Sequence, residues 1–161
     1  MLELIVAASM MAAVMTSLSL VMRSTRQCWE TLDTEYAATH QMHAVTRHFV
    51  RAAREAKTVT SIKPDGSGIT MTLADDSPIS WEWRNSYHGN KHVVLLTTTA
   101  GSSVLAHGID ALAFRGFGTD GVTQISEPDD IQVVEVTATV TIPRSHVAQR
   151  SAVGKVFIRL W

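Results

Sequence analysis

The segment Leu4–Met22 holds 19 residues without one charged side chain, and it lies almost at the front of the chain. No other feature narrows the possible folds as much. As a helix the run spans roughly 28 Å, close to the hydrocarbon thickness of a bilayer. A buried core helix of a water-soluble domain keeps a polar face, whereas here only Ser and Thr interrupt the apolar residues. There is no basic leader before the run, and it is longer than the core of a cleaved signal, so the pattern predicts a membrane-inserted helix. Arg23 and Arg26 close it, and one carboxylate, Glu3, stands at its head.

Helical character continues past Arg23. Residues 23–57 contain neither Pro nor Gly, and apolar residues recur at Leu32, Tyr36, Met42, Val45, Phe49, Ala52 and Ala56. Steps of three and four dominate that series, which is the period of one helix face. The expectation is a single helix over residues 1–57, with residues 1–22 as a transmembrane and assembly segment and 23–57 as an amphipathic continuation. From residue 58 the period becomes two. The turn signal "PDGSG" separates two short strands, "ISWEW" alternates, "YHGN" makes another turn, and "SVLAHGI" and "ALAFRG" supply further short segments. "IQVVEVTATVTI" is the longest strand pattern, with Val134, Val136, Ala138 and Val140 on one face, and "KVFIRLW" reads as a final strand. Residues 58–161 are therefore expected to form an antiparallel β domain. The fold class is α+β, a long N-terminal helix packed on an antiparallel sheet.

The charges nearly cancel, with 14 Lys and Arg against 15 Asp and Glu, so nothing at the level of the whole chain points to nucleic acid. Cys28 is the single cysteine, which excludes an internal disulfide and a cysteine-based zinc site. Gly116–Gly121, "GFGTDG", fits G-x-G-x-x-G, but the adjoining "VTQISEPDD" is loop-like and offers no helix N-terminus for a pyrophosphate. His40, His43 and His48 fan around the helix too widely to converge on one metal. Asp120, Glu127, Asp129 and Asp130 crowd one loop region and are the low-ranking candidates for a Ca²⁺ site, although their spacing is not that of an EF-hand. Arg47, Arg51, Arg54 and Lys57 recur at helical spacing, where cations complement the C-terminal end of the dipole; a DNA-contacting stripe is the alternative. Trp81 and Trp83 share a strand face, as core residues or as a platform for sugars. Ser102, Ser103, His107 and Asp110 lie close in sequence but without a nucleophile elbow. No enzyme and no cofactor is expected.

"MLELIVAASMMAA" resembles the start of the type IV pilins and type II secretion pseudopilins, whose helix opens on a Phe-Thr-Leu-Ile-Glu-Leu type motif. Glu3 and the apolar residues after it, Leu4, Ile5 and Val6, match the acid of that motif and its apolar continuation. An acid inside an apolar span is costly, with Asp about +2.5 to +3.5 kcal/mol at a helix centre and less near an end. Farther along, Leu105, Ala106, Gly108, Leu112 and Phe114, ahead of the long strand, are similar to the J-type minor pseudopilins. The resemblance implies a structural fibre subunit in which Glu3 meets the N-terminal amine of a neighbour and sets register. It implies partners: other pilins or pseudopilins through helix packing, an inner-membrane assembly platform, membrane lipid, and a prepilin peptidase acting on an upstream leader. The family has four mature residues before the Glu and a basic leader ending in Gly; only Met1 and Leu2 precede Glu3, so the processing site is absent and a start cut short is expected. The implied location is the bacterial inner membrane, single-pass, with the C-terminal domain periplasmic. A signal-anchored monomeric extracytoplasmic domain that binds a sugar or Ca²⁺ is the second expectation.

Overall fold

A computed structural model describes residues 1–142 and 149–158; Arg159, Leu160 and Trp161 of the expected last strand lie outside the described residues. The chain is α+β, with one long helix, α1 (Leu2–Ala53), followed by antiparallel sheets. By its internal contacts it divides into two units, Met1–Tyr36 and Ala37–Trp161.

The first unit is helix alone, and nearly all of it faces outward. Met1, Leu4, Ile5, Met10, Met11 and Met22 are all more than half exposed. Three hydroxyls of its apolar stretch bond the backbone. Ser9 donates to the Val6 carbonyl at 2.8 Å, Thr16 to Ala12 at 2.7 Å and Ser17 to Val14 at 2.8 Å. Each of these three hydroxyls is thus satisfied by the turn below it, an arrangement that suits an apolar surrounding.

The second unit holds the core. Its helical part buries Met42, Val45, Thr46, Phe49 and Ala53, one ridge at steps of three, one, three and four. The expected apolar face therefore begins later than its pattern suggested: Leu32 is 53% and Tyr36 70% exposed. Period alone shows that a face is apolar; it does not show where the partner surface begins. The helix also ends sooner than Lys57. Glu55 N–H bonds the Ala52 carbonyl at 3.0 Å, a tightened last turn, and Ala56 already pairs with Leu73 in β1 (Ala56–Ile62). No Pro or Gly stops the helix. Strand pairing and the burial of Ala56 and Val59 do so, against good helix propensity for "AREAK".

β1 joins β2 (Gly68–Leu73), β3 (Pro78–Tyr87), β4 (Asn90–Thr98) and β5 (Gly101–Ala106) in a five-stranded meander in sequence order. The β1–β2 turn is the "PDGSG" turn, where the Asp65 carboxylate takes the Ser67 N–H at 3.0 Å. β6 (Ala111–Phe117), β7 (Val133–Thr141) and β8 (Gln149–Phe157) form a second, three-stranded sheet. Along β7, Val134, Val136, Ala138 and Val140 are buried and the residues between them are not; Val133, at the strand's start, is buried as well.

Phe49 ties the three layers together. Its ring meets Trp81 of β3 edge-on at 5.2 Å and Phe114 of β6 at 5.1 Å, and both partners are buried. β8 comes so close to the helix that a Cβ at Gly154 would fall 2.8 Å from Thr46 Cγ2 and 2.9 Å from Val50 Cγ2. Phe49→Ala should therefore lower unfolding stability by about 3–5 kcal/mol, while Leu32→Ala should change it by about 0.5 kcal/mol or less. Urea unfolding of the detergent-solubilised chain, followed by tryptophan fluorescence, checks both; equal effects would contradict this account of the core.

Candidate functional site

The residues singled out in the sequence for assembly occupy the first turns of α1. Glu3 is the acid of the first turn, followed by Leu4 at 75%, Ile5 at 69% and Val6 at 48% exposure. That turn carries the unpaired N–H groups of the helix start. Behind it, α1 contains an 18-residue window of mean hydropathy 2.1 with none of its residues buried. By length and composition this helix can cross a membrane. Its surface is a continuous apolar one headed by a single carboxylate, and what it can do is insert in lipid or pack on other apolar helices.

The loop acids do not gather. Asp120 is occupied by its own turn: its carboxylate accepts from Val122 N–H and Thr123 N–H, both at 3.0 Å, and from the Thr123 hydroxyl at 2.6 Å. Those bonds, the Thr123 hydroxyl foremost, bring its pKa down to about 2. Glu127 precedes a short 3₁₀ turn, Pro128–Asp130, without capping it through its side chain, and Asp129 and Asp130 are exposed on that turn. Among the described residues no three of His, Cys, Asp and Glu come together as metal ligands.

The glycine motif is a packing device. Gly116 lies where a Cβ would come within 2.4 Å of Ile131 Cδ1, and Gly118 N–H bonds the Thr123 carbonyl at 3.0 Å in the turn after β6. No α-helix comes after it among the described residues. Trp81 is fully buried, which removes it as a sugar platform. Trp83 is half-buried and donates its indole N–H to the Ile109 carbonyl at 2.5 Å. Ser102 shares a hydrogen bond with Thr97 at 2.8 Å, and Cys28 is a free, exposed thiol on the helix.

Sequence reasoning missed a contact between the sheets. Asp110 turns to His92, with Nδ1 and Oδ1 3.1 Å apart, and not to the nearby His107. The pair is close without the alignment of a hydrogen bond. Asp110 also accepts from Thr141 N–H and donates its own N–H to the Thr139 carbonyl at 2.9 Å. It fastens the entry of β6 to the end of β7, with His92 of β4 alongside. His92 holds φ at 54°, which no local residue pattern announces.

The histidines of the helix divide. His40 and His43 are exposed, while His48 is half-buried and its Nδ1 accepts a long 3.4 Å hydrogen bond from Trp81 Nε1. Burial, then the Arg51 guanidinium, hold His48 below its ordinary value of 6.5. A folded pKa below the unfolded one means that the unfolded chain takes the proton first. Stability is then full above about 6.5 and falls as the pH drops through the window beneath it. His48→Gln should flatten that part of the profile. Unfolding midpoints of both proteins between about pH 7 and pH 5 test this, and parallel profiles would contradict it.

No protein-family model matches this chain, and no curated protein matches it either. A long N-terminal apolar helix followed by antiparallel sheets is compatible with a pilin-like fold.

Proposed function

We propose that the chain is a structural subunit of a pilin-like fibre, a minor pseudopilin of a type II secretion-like machine or a minor pilin. The carrying observation is the front of α1: a bilayer-length apolar surface, wholly unburied, with one acid in its first turn. In this reading the helix waits in the inner membrane with the β unit outside. It then leaves lipid by packing among the helices of neighbouring subunits. Glu3 resists that apolar surrounding until it meets a cation, the terminal amine of the next subunit, so its need for a partner selects one axial register. Leu4, Ile5 and Val6 supply the contact area around it. A prepilin peptidase and an assembly platform are the partners this reading requires.

The second unit buries its own core and needs nothing from residues 1–36 to do so. The two functions, anchoring with assembly and surface presentation, are therefore separable by mutation. Glu3→Ala and Glu3→Gln should both reduce incorporation into cross-linked assemblies in native membranes by about tenfold or more, since either leaves the neighbour's amine unpaired. Tryptophan fluorescence of the β unit should not change. Normal incorporation of both variants would exclude a register role for Glu3.

A further inference from the structure

We propose that the exposed face of α1 formed by His40, His43, Arg47, Arg51 and Arg54 receives the acidic Glu127–Asp130 turn of a second copy of this chain. The contact rests on the fibre reading and adds a second place where copies meet, within the unit that begins at Ala37.

These five residues succeed one another at steps of three, four, four and three, and all are exposed. They stand opposite the buried ridge Met42–Val45–Phe49–Ala53. A groove of about 330 Å³ lies along the first four of them, lined also by Ala44 and His48. Among the described residues none of the three arginines has a carboxylate within ion-pair distance; the ion pairs there involve other cations. The helix dipole accounts for Arg51 in the last turn, but Arg47 lies farther back. Like charges four apart on a helix repel, so folding alone gives no reason to place Arg47 and Arg51 together.

The same unit carries the complement. Glu127, Asp129 and Asp130 are exposed, and no cation of the described residues lies within ion-pair distance of them. They are held firmly: Ile131 behind them is buried, its N–H bonds the Pro128 carbonyl at 3.2 Å, and Gln132 N–H bonds the Phe117 carbonyl at 3.0 Å. Among the described residues, three uncompensated cations and three uncompensated anions thus stand on different parts of one unit. Two unlike patches on each copy allow a head-to-tail contact, which propagates into an open array where its rotation does not close into a ring, the geometry that a fibre requires. A nucleic acid would need only the arginines and would leave the equal set of acids without a role.

The full-length protein in native membranes, cross-linked with a lysine-independent photoreagent, tests this. Arg47→Glu with Arg51→Glu should cut the multimer ladder about tenfold, and so should Asp129→Lys with Asp130→Lys. Combining all four should restore it to within about twofold, because the exchanged charges still meet. Raising the salt should weaken the wild-type ladder, since the contact is exposed. A wild-type ladder that ignores both charge reversals overturns this contact and leaves the fibre reading standing. A combined variant no better than either pair also overturns it, as does oligonucleotide binding lost only with the arginines. No wild-type ladder at all overturns both readings.

Discussion

Everything distinctive about this chain comes from an apolar surface that water cannot be asked to cover. From Leu4 to Met22 the helix exposes side chain after side chain of Leu, Ile, Val and Met, with no partner in its own unit. Each hydroxyl named above is turned onto the backbone. Such a surface is stable in two surroundings, lipid and other helices of its kind. In the proposed fibre Glu3 distinguishes the two: in lipid it is a cost, and beside a neighbour's cation it would be an attraction. One side chain therefore gives the second surrounding an advantage that depends on alignment.

The β unit is built so that none of this concerns it. Phe49 closes the core from the helix side, between a tryptophan of the larger sheet and a phenylalanine of the smaller one. Gly154 lets the smaller sheet approach the helix closely. The Asp110 carboxylate extends the pairing of β6 and β7 past Ala111 and Thr139, with His92 of the larger sheet alongside. A unit that buries its own apolar core has its surface free for contacts. Its unpaired charges, basic along the helix and acidic on the turn after Glu127, are where that freedom is visible.

Much of the architecture could be read in advance because its signals are local. "PDGSG" fixes a hairpin, and the alternation of "VVEVTATV" fixes which side of β7 is buried. The span of the apolar helix is a matter of counting. What could not be read depends on partners distant in sequence. The helix stops at Ala53 because Ala56 finds Leu73, and its buried face begins at Met42 because that is where strands lie against it. Asp110 lies near His107 in the chain but turns toward His92 and Thr141 in space. Glu3, Leu4, Ile5 and Val6, the residues proposed for assembly, stand out for a different reason: a lone acid before an uncharged run is conspicuous in any fold. The acidic loop ranked low as a Ca²⁺ site because its spacing is not that of an EF-hand, and in the fold Asp120 serves its own turn.

The central claim is that the front of α1 leaves lipid for other helices. Photo-crosslinking from a benzophenone residue at Ile5, in native membranes, tests it most directly. The account predicts protein–protein adducts that disappear when Glu3 is replaced by Ala. Adducts to lipid alone, the same with and without Glu3, would contradict it.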